Sequence, residues 1–307
     1  MKYSPIVIFA YHRIEHLKKT IESLKNNFLS ESSTLIIYSD GPKSEGDVDG
    51  VNKVRHYLGS LNDGFKDIII RHREQNFGLS NSVISGVTEV LENYDSIIVL
   101  EDDLVTSPHF LDYMNKALEL YQDQEDVISI HGYNYPIKRD FPETFFLKGA
   151  DCWGWATWKR GWKLFDSDGK KLYDLITENE DTIRDFNFYN SYPYLQMLKD
   201  QIEGKNNSWA IRWYASAYLN NKYTLYPAKS LVKNIGMDGT GTHFTSRPLF
   251  NFKDNNALTS KIRLIKIDDV KEDKEGKKLI ADYLSRSNKS YAKKMKESFL
   301  KLFRSTI

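Results

Sequence analysis

The feature that most limits this chain is a rhythm in its first 132 residues, where short apolar runs alternate with stretches whose apolar residues recur at helical spacing. The runs are PIVIFA (5–10), TLIIYS (34–39), DIIIRH (67–72), SIIVL (96–100) and VISIHG (127–132). Between them, Ile14, Leu17, Ile21 and Leu24 fall on one face of a helix predicted over 13–27. Similar patterns predict helices over 49–61, 79–92 and 107–122, the last entered through Ser107-Pro108, a capping residue followed by proline at the first helical position. Strands this apolar have no solvent face. They require an α/β fold in which a mainly parallel sheet is flanked by helices on both sides.

In such sheets ligands bind at the carboxyl ends of the strands. Three polar clusters directly follow predicted strands: Ala10-Tyr11-His12-Arg13, Ser39-Asp40-Gly41 and Glu101-Asp102-Asp103. Three acids at the end of a buried strand repel one another and lose solvation, so they need a metal, a basic side chain or water. Mn²⁺ or Mg²⁺ suits them, because a hard cation takes carboxylate oxygens and shares its other positions with phosphates. The ordinary alternative is an acidic turn that complements a helix dipole. Arg13 stands where a guanidinium can meet a phosphate with two parallel bonds, or pair with an acid of the cluster. Asp40-Gly41-Pro42 is also a common turn. Asn76 either caps the helix near Leu79 or contacts a nucleotide.

After residue 132 the rhythm breaks. Residues 133–250 carry aromatic clusters, among them WGWATWKRGW (153–162), SYPYLQM (191–197) and SWAIRWYASAYL (208–219), and no linker separates them from the first half. We therefore read residues 1–250 as one domain, with a first half over 1–132 and an aromatic-rich second half over 133–250, followed by an extension over 251–307. Trp153, Trp155, Trp158 and Trp162 follow no single period, so some of them pack in the core. From Leu284 to Ile307 there are seven basic residues against one acid, and Tyr291, Met295, Phe299, Leu302 and Phe303 share a helical face. This tail fits an anionic membrane surface, or docks on its own domain. A net charge of +1 excludes a general nucleic-acid binder. Cys152 is the one cysteine, which suits a reducing compartment. With no secretory signal and no apolar run long enough to span a bilayer, the expected location is cytoplasmic, peripheral on the inner face of the membrane if the tail binds there.

PIVIFAYHRIEHLKKTIESL, YSDGP, NFGLSNSVISG and IIVLEDDLVTSPHFLDYM resemble the nucleotide-sugar half of GT-A (Rossmann-like) glycosyltransferases. The likeness is to N-acetylglucosaminyltransferase I and to bacterial family 2-like polysaccharide glycosyltransferases, and it continues through WGWATW, SWAIRWYAS and NIGMDGTGTHF, over roughly residues 5–245. It implies a metal-dependent, inverting transfer from a UDP-sugar, GlcNAc-like or hexose, to a glycan or lipid-linked acceptor in bacterial surface polysaccharide synthesis. By the same resemblance, Asp103 would hold the Mn²⁺ that bridges the diphosphate, and Glu101 and Asp102 would contact the donor sugar or ribose. Arg13 would contact the diphosphate or base and Asp40 the uracil, while Gly154-Trp155 would form part of the donor-sugar and acceptor wall. His243, on a glycine-rich approach, is a candidate metal or phosphate partner, against a purely structural histidine.

The resembled enzymes place their general base, an Asp, directly after a Trp in a motif matching WAIRW. Here that Trp is Trp209 and the next residue is Ala210, which takes no proton. Another acid must then serve, Asp151 or Asp238, with Asp238 preferred because a glycine-rich loop could carry it over the donor. The alternative reading is a non-catalytic nucleotide-sugar or glycan-binding protein of the same fold.

Overall fold

In the computed structural model, which describes residues 3–138, 141–236, 238 and 258–287, strand β1 (Ile6–Ala10) is buried along its whole length. Its side chains divide by parity: Ile6, Ile8 and Ala10 enter one core, Val7 and Phe9 the opposite one. Strand β4 (Ser96–Glu101) repeats this, with Ile98 and Leu100 on the first side and Ile97 and Val99 on the second. The first core is closed by α1 (Ile14–Lys25), α2 (Val48–Gly59) and α4 (Phe110–Leu120), and the second by α3 (Gly78–Asn93) and α9 (Trp209–Leu219). Helix α1 buries Leu17, Thr20, Ile21 and Leu24, an apolar stripe at the spacing the sequence shows.

The remaining strands are β2 (Thr34–Ser39), β3 (Asp67–His72), β5 (Leu104–Thr106), β6 (Val127–His131), β7 (Thr144–Lys148), β8 (Trp155–Trp158), β9 (Tyr223–Pro227) and β10 (Val232–Asn234). Eight of them form one sheet in the order β3-β2-β1-β4-β8-β6-β9-β7, and β5 pairs with β10 in a separate ribbon. β3, β2, β1 and β4 are mutually parallel, as are β6 and β9. β8 runs antiparallel to both β4 and β6 and joins the two parallel blocks. The sheet is thus mixed, mainly parallel and flanked by helices, as expected. Two local expectations change. The fourth helix begins at Phe110: residues 107–109 form a turn in which Ser107 Oγ accepts from the His109 N–H while donating to the Ser260 carbonyl, and the Ser107 carbonyl accepts from the Phe110 N–H. And WATW, read as part of an irregular aromatic region, is a central strand with all four residues buried.

Because β8 is antiparallel to β4, Trp155 pairs with Val99 and also with His131 at the end of β6. The segment just before Trp155 is thereby brought to the rim where β1 and β4 end. Beyond the short α5 (Lys159–Trp162), which directly follows β8, a third core lies between β7, β9, α6 (Gly169–Thr177), α7 (Glu180–Phe186) and α8 (Tyr194–Ile202). Residues 274–287 are helical and add Ile280, Ala281 and Leu284 to it. The tail beyond residue 287, which carries most of the expected membrane-binding charge, lies outside the described residues. Among those described, no helix is long and apolar enough to cross a membrane.

Candidate functional site

Parallel pairing of β1 with β4, with Phe9 opposite Glu101, makes the two strands end side by side. The residues that follow must meet there. Arg13, just ahead of α1, donates through Nη2 to Asp102 Oδ1 at 2.5 Å and to Asp103 Oδ2 at 2.7 Å. The cation that the acid cluster needs is therefore, in the protein alone, an arginine. Thr20 Oγ1 donates to the Asp102 carbonyl at 2.9 Å, which fixes the turn against α1.

One arginine does not balance three acids. Burial, together with the charges of Asp103 and Asp102, pushes the Glu101 carboxyl up to about 8, and Arg13 only partly opposes this. Burial also lifts Asp102 to about 6 against the pull of Arg13. Arg13 itself, which burial alone would lower, is held above the usual guanidinium range by Asp102 and Asp103. Asp103 Oδ1 is buried with no hydrogen-bond partner. These are hard oxygen donors with surplus negative charge, and they suit a divalent cation whose other positions come from a ligand such as a diphosphate. Among the described residues no three His, Cys, Asp or Glu side chains converge on one point.

Arg13, Glu101 and Asp103 line a cavity of about 510 Å³. The same cavity has an aromatic lining, with Tyr133, Trp153, Tyr192, Tyr194 and Tyr226 on its wall and Asp151 among its residues. Asp151 Oδ1 accepts from the Cys152 N–H at 2.7 Å, and Oδ2 accepts from the Tyr226 hydroxyl at 3.3 Å. His131, fully buried behind it, accepts the Trp153 N–H on Nε2 at 3.2 Å, with that nitrogen 3.8 Å from Asp151 Oδ1. Two partners thus hold the 151–153 turn against the end of β6. Ala210, in the first turn of α9, also lines the cavity, as do Trp209 and Ser208, whose Oγ caps that helix by accepting from the Ile211 N–H.

Other residues singled out from the sequence take different places. Trp155 is fully buried among Trp162, Trp209 and Trp213, because it begins a central strand; Trp153 faces the cavity instead, across Gly154 in the left-handed region at φ 61°. Asp40 is nearly buried, and its carboxylate accepts from the N–H groups of Gly41, Phe77 and Gly78. It caps α3 and does not line the cavity. Asn76 donates to the Gly41 carbonyl at 2.8 Å and so ties the same two loops together. Asp238 is paired with His16 Nε2 at 3.0 Å and does not line the cavity either. His243 lies outside the described residues. Gly236, within the NIGMDGTGTHF stretch but given no role by the sequence, passes directly over Asp103 from a distant part of the chain.

A model of glycosyl transferase family 2 matches residues 6–179, more than half of the chain. The chain belongs to glycosyl transferase family 2. Arg13, the acid cluster, Asp151 and Trp153 lie inside the matched part, whereas Tyr192, Tyr194, Ala210, Tyr226 and Gly236 lie beyond it. Crystal structures of S. aureus TarS are similar to this family 2 chain. One is 14% identical over 76% of this chain and 36% of TarS, with a TM-score of 0.39. TarS 1–349 is 14% identical over 76% and 60%, with a TM-score of 0.37. The same fragment in complex with UDP-GlcNAc is 12% identical over 76% and 58%, with a TM-score of 0.38. The chain spans less than two thirds of the length of each. No curated protein matches it.

Proposed function

We propose that this family 2 protein moves a sugar from a UDP-sugar, of GlcNAc or hexose type, to a glycan or lipid-linked acceptor of bacterial surface polysaccharide, with inversion at the anomeric carbon. The observation that carries the reading is that one cavity is lined both by Arg13 with the acids Glu101 and Asp103 and by aromatic residues together with Asp151. Arg13, Glu101 and Asp103 fit the diphosphate side. Asp103, with its unpartnered buried oxygen, would hold Mn²⁺ or Mg²⁺ there, and Glu101 and Asp102 would flank the sugar or ribose. The ion, when bound, neutralises charge on the departing diphosphate. Asp151 is the general base: it takes the proton of the acceptor hydroxyl as that oxygen bonds to the anomeric carbon, while the bond to the diphosphate breaks and its electron pair leaves with UDP. The Cys152 amide and Tyr226 hydroxyl orient the Asp151 carboxylate for this. The basic segment after residue 287 would hold the enzyme at an anionic membrane surface.

Calorimetry of UDP with and without Mn²⁺ tests the donor side, since a TarS fragment is seen with UDP-GlcNAc. Mn²⁺-dependent binding that disappears in Asp103→Ala is the expected result; affinity indifferent to Mn²⁺ in both proteins removes the metal assignment. Ala210 on the cavity wall favours a second reading, a nucleotide-sugar or glycan-binding protein without catalysis. Release of UDP from UDP-sugars by the purified chain distinguishes the two.

A further inference from the structure

We propose that the acceptor end of the cavity takes an uncharged sugar ring and that the cavity itself turns away acidic ones. The inference rests on the glycosyl-transfer reading above and adds the class of acceptor.

It begins with charge. Among the described residues, Arg13 is the only basic side chain lining the cavity, and its guanidinium is already bound by two carboxylates. Apart from Arg13 the lining offers no cation among those residues. It offers Asp151, whose negative charge, after burial, is the next cause raising the phenols of Tyr194 and Tyr226, so its field reaches across that wall. A uronic acid or phosphate entering here would lose its hydration beside a like charge and meet, among the described residues, only neutral hydrogen-bond donors and no free cation. A neutral ring meets the opposite conditions. Its C–H face packs on flat rings such as Trp153 and Tyr192, and its hydroxyls bond to Asp151 and to the exposed Asn207. Selectivity then comes from penalising the wrong ligand as much as from fitting the right one. A lipid-linked acceptor is compatible, because only its terminal ring needs to enter.

Matched ligands that differ at a single carbon test this. 4-Nitrophenyl β-D-glucoside and β-D-galactoside are compared with the corresponding glucuronide and galacturonide, on the whole chain saturated with UDP and Mn²⁺, by saturation-transfer NMR and calorimetry. The neutral members should bind at least about tenfold more tightly, which corresponds to about 1.4 kcal/mol. Trp153→Ala should weaken them about tenfold while UDP affinity stays unchanged. Asn207→Lys should narrow the gap by favouring the uronides. Uronides that bind as well as the neutral glycosides overturn the inference, and so does failure of every glycoside to bind while UDP binds. Failure of UDP itself removes the donor reading first and is seen separately in the UDP titration.

Discussion

A methyl group at residue 236 would sit 2.0 Å from Asp103 Oδ2 and 2.8 Å from Arg13 Nη1. Neither neighbour can retreat without breaking the pair they form. Gly236→Ala should therefore cost about 1–3 kcal/mol of stability and abolish Mn²⁺-dependent UDP binding as Asp103→Ala does; a variant that binds UDP normally would show that the loop over Asp103 is dispensable. Asp151→Asn should lower turnover by about 10²–10⁴-fold with donor affinity nearly unchanged, because proton transfer matters only in the transition state. Asp238→Asn, paired with His16 outside the cavity, should keep turnover; the reverse pattern in these two variants moves the base to Asp238. The Glu101 carboxyl is held at about 8 against an ordinary 4.5. Between those values the folded chain binds more protons than the unfolded one, so this group makes stability fall as pH rises across that window. Melting temperatures taken without added metal should show a shallower fall over the window for Glu101→Gln, and parallel curves for the two proteins would refute the assignment. Arg13 and the three acids were readable from the sequence because each directly follows a strand, and strand ends share a rim. The direction a side chain takes was not. Asp40 turns back to cap α3, Trp155 turns into the core, and Gly236 reaches Asp103 from more than a hundred residues away.

At the scale of elements, the parallel block was legible because period-2 and period-3.6 patterns alternate there without ambiguity. β8 was not, since four buried residues with two tryptophans have no period to read and their strand partners are set by the fold. The turn before α8 was equally hidden. Phe188, Tyr189 and Asn190 all have positive φ, at 49°, 55° and 61°, a conformation that costs a non-glycine residue about 1–2 kcal/mol. Lys277, from the helix over 274–287, sits under this turn with its ammonium 5.4 Å and 5.2 Å from the Phe188 and Tyr189 ring centres. It also bonds Asp185 at 2.6 Å and Glu272 at 3.0 Å and is almost wholly buried. Phe188, Tyr192 and Tyr194, on and just after the turn, line the cavity. Lys277→Met would remove the cation bonded to both carboxylates, leaving only the electrostatic pull of Lys148, and should lower unfolding free energy by about 3 kcal/mol in urea, with chymotrypsin cutting after Phe188 or Tyr189 in the folded protein. A stable, uncut variant would mean that the turn holds without its cation.

Over the whole molecule, the second half makes its own contribution to the site, and the segment 258–287 belongs to that half through Ile280, Ala281 and Leu284. Ending the chain after Ser287 should preserve UDP binding and melting temperature while removing sedimentation with anionic vesicles, which in the parent chain should weaken as salt rises. Vesicle binding that survives the truncation counts against the tail as the anchor. The sequence announced both halves through motifs, the second through WGWATW, SWAIRWYAS and NIGMDGTGTHF, but not which residues between 133 and 236 line the cavity, because that wall is assembled from separate segments and has no local signature. The place of β8 also bears on how the chain is made. On the ribosome, β1 to β4 emerge first, and they present β4 as an open edge until Trp155–Trp158 arrives to cover it. During that interval an apolar strand is free to pair with another nascent chain. Fragments ending between residues 101 and 154 should therefore aggregate on release, whereas fragments extended past β8 have that edge of β4 covered.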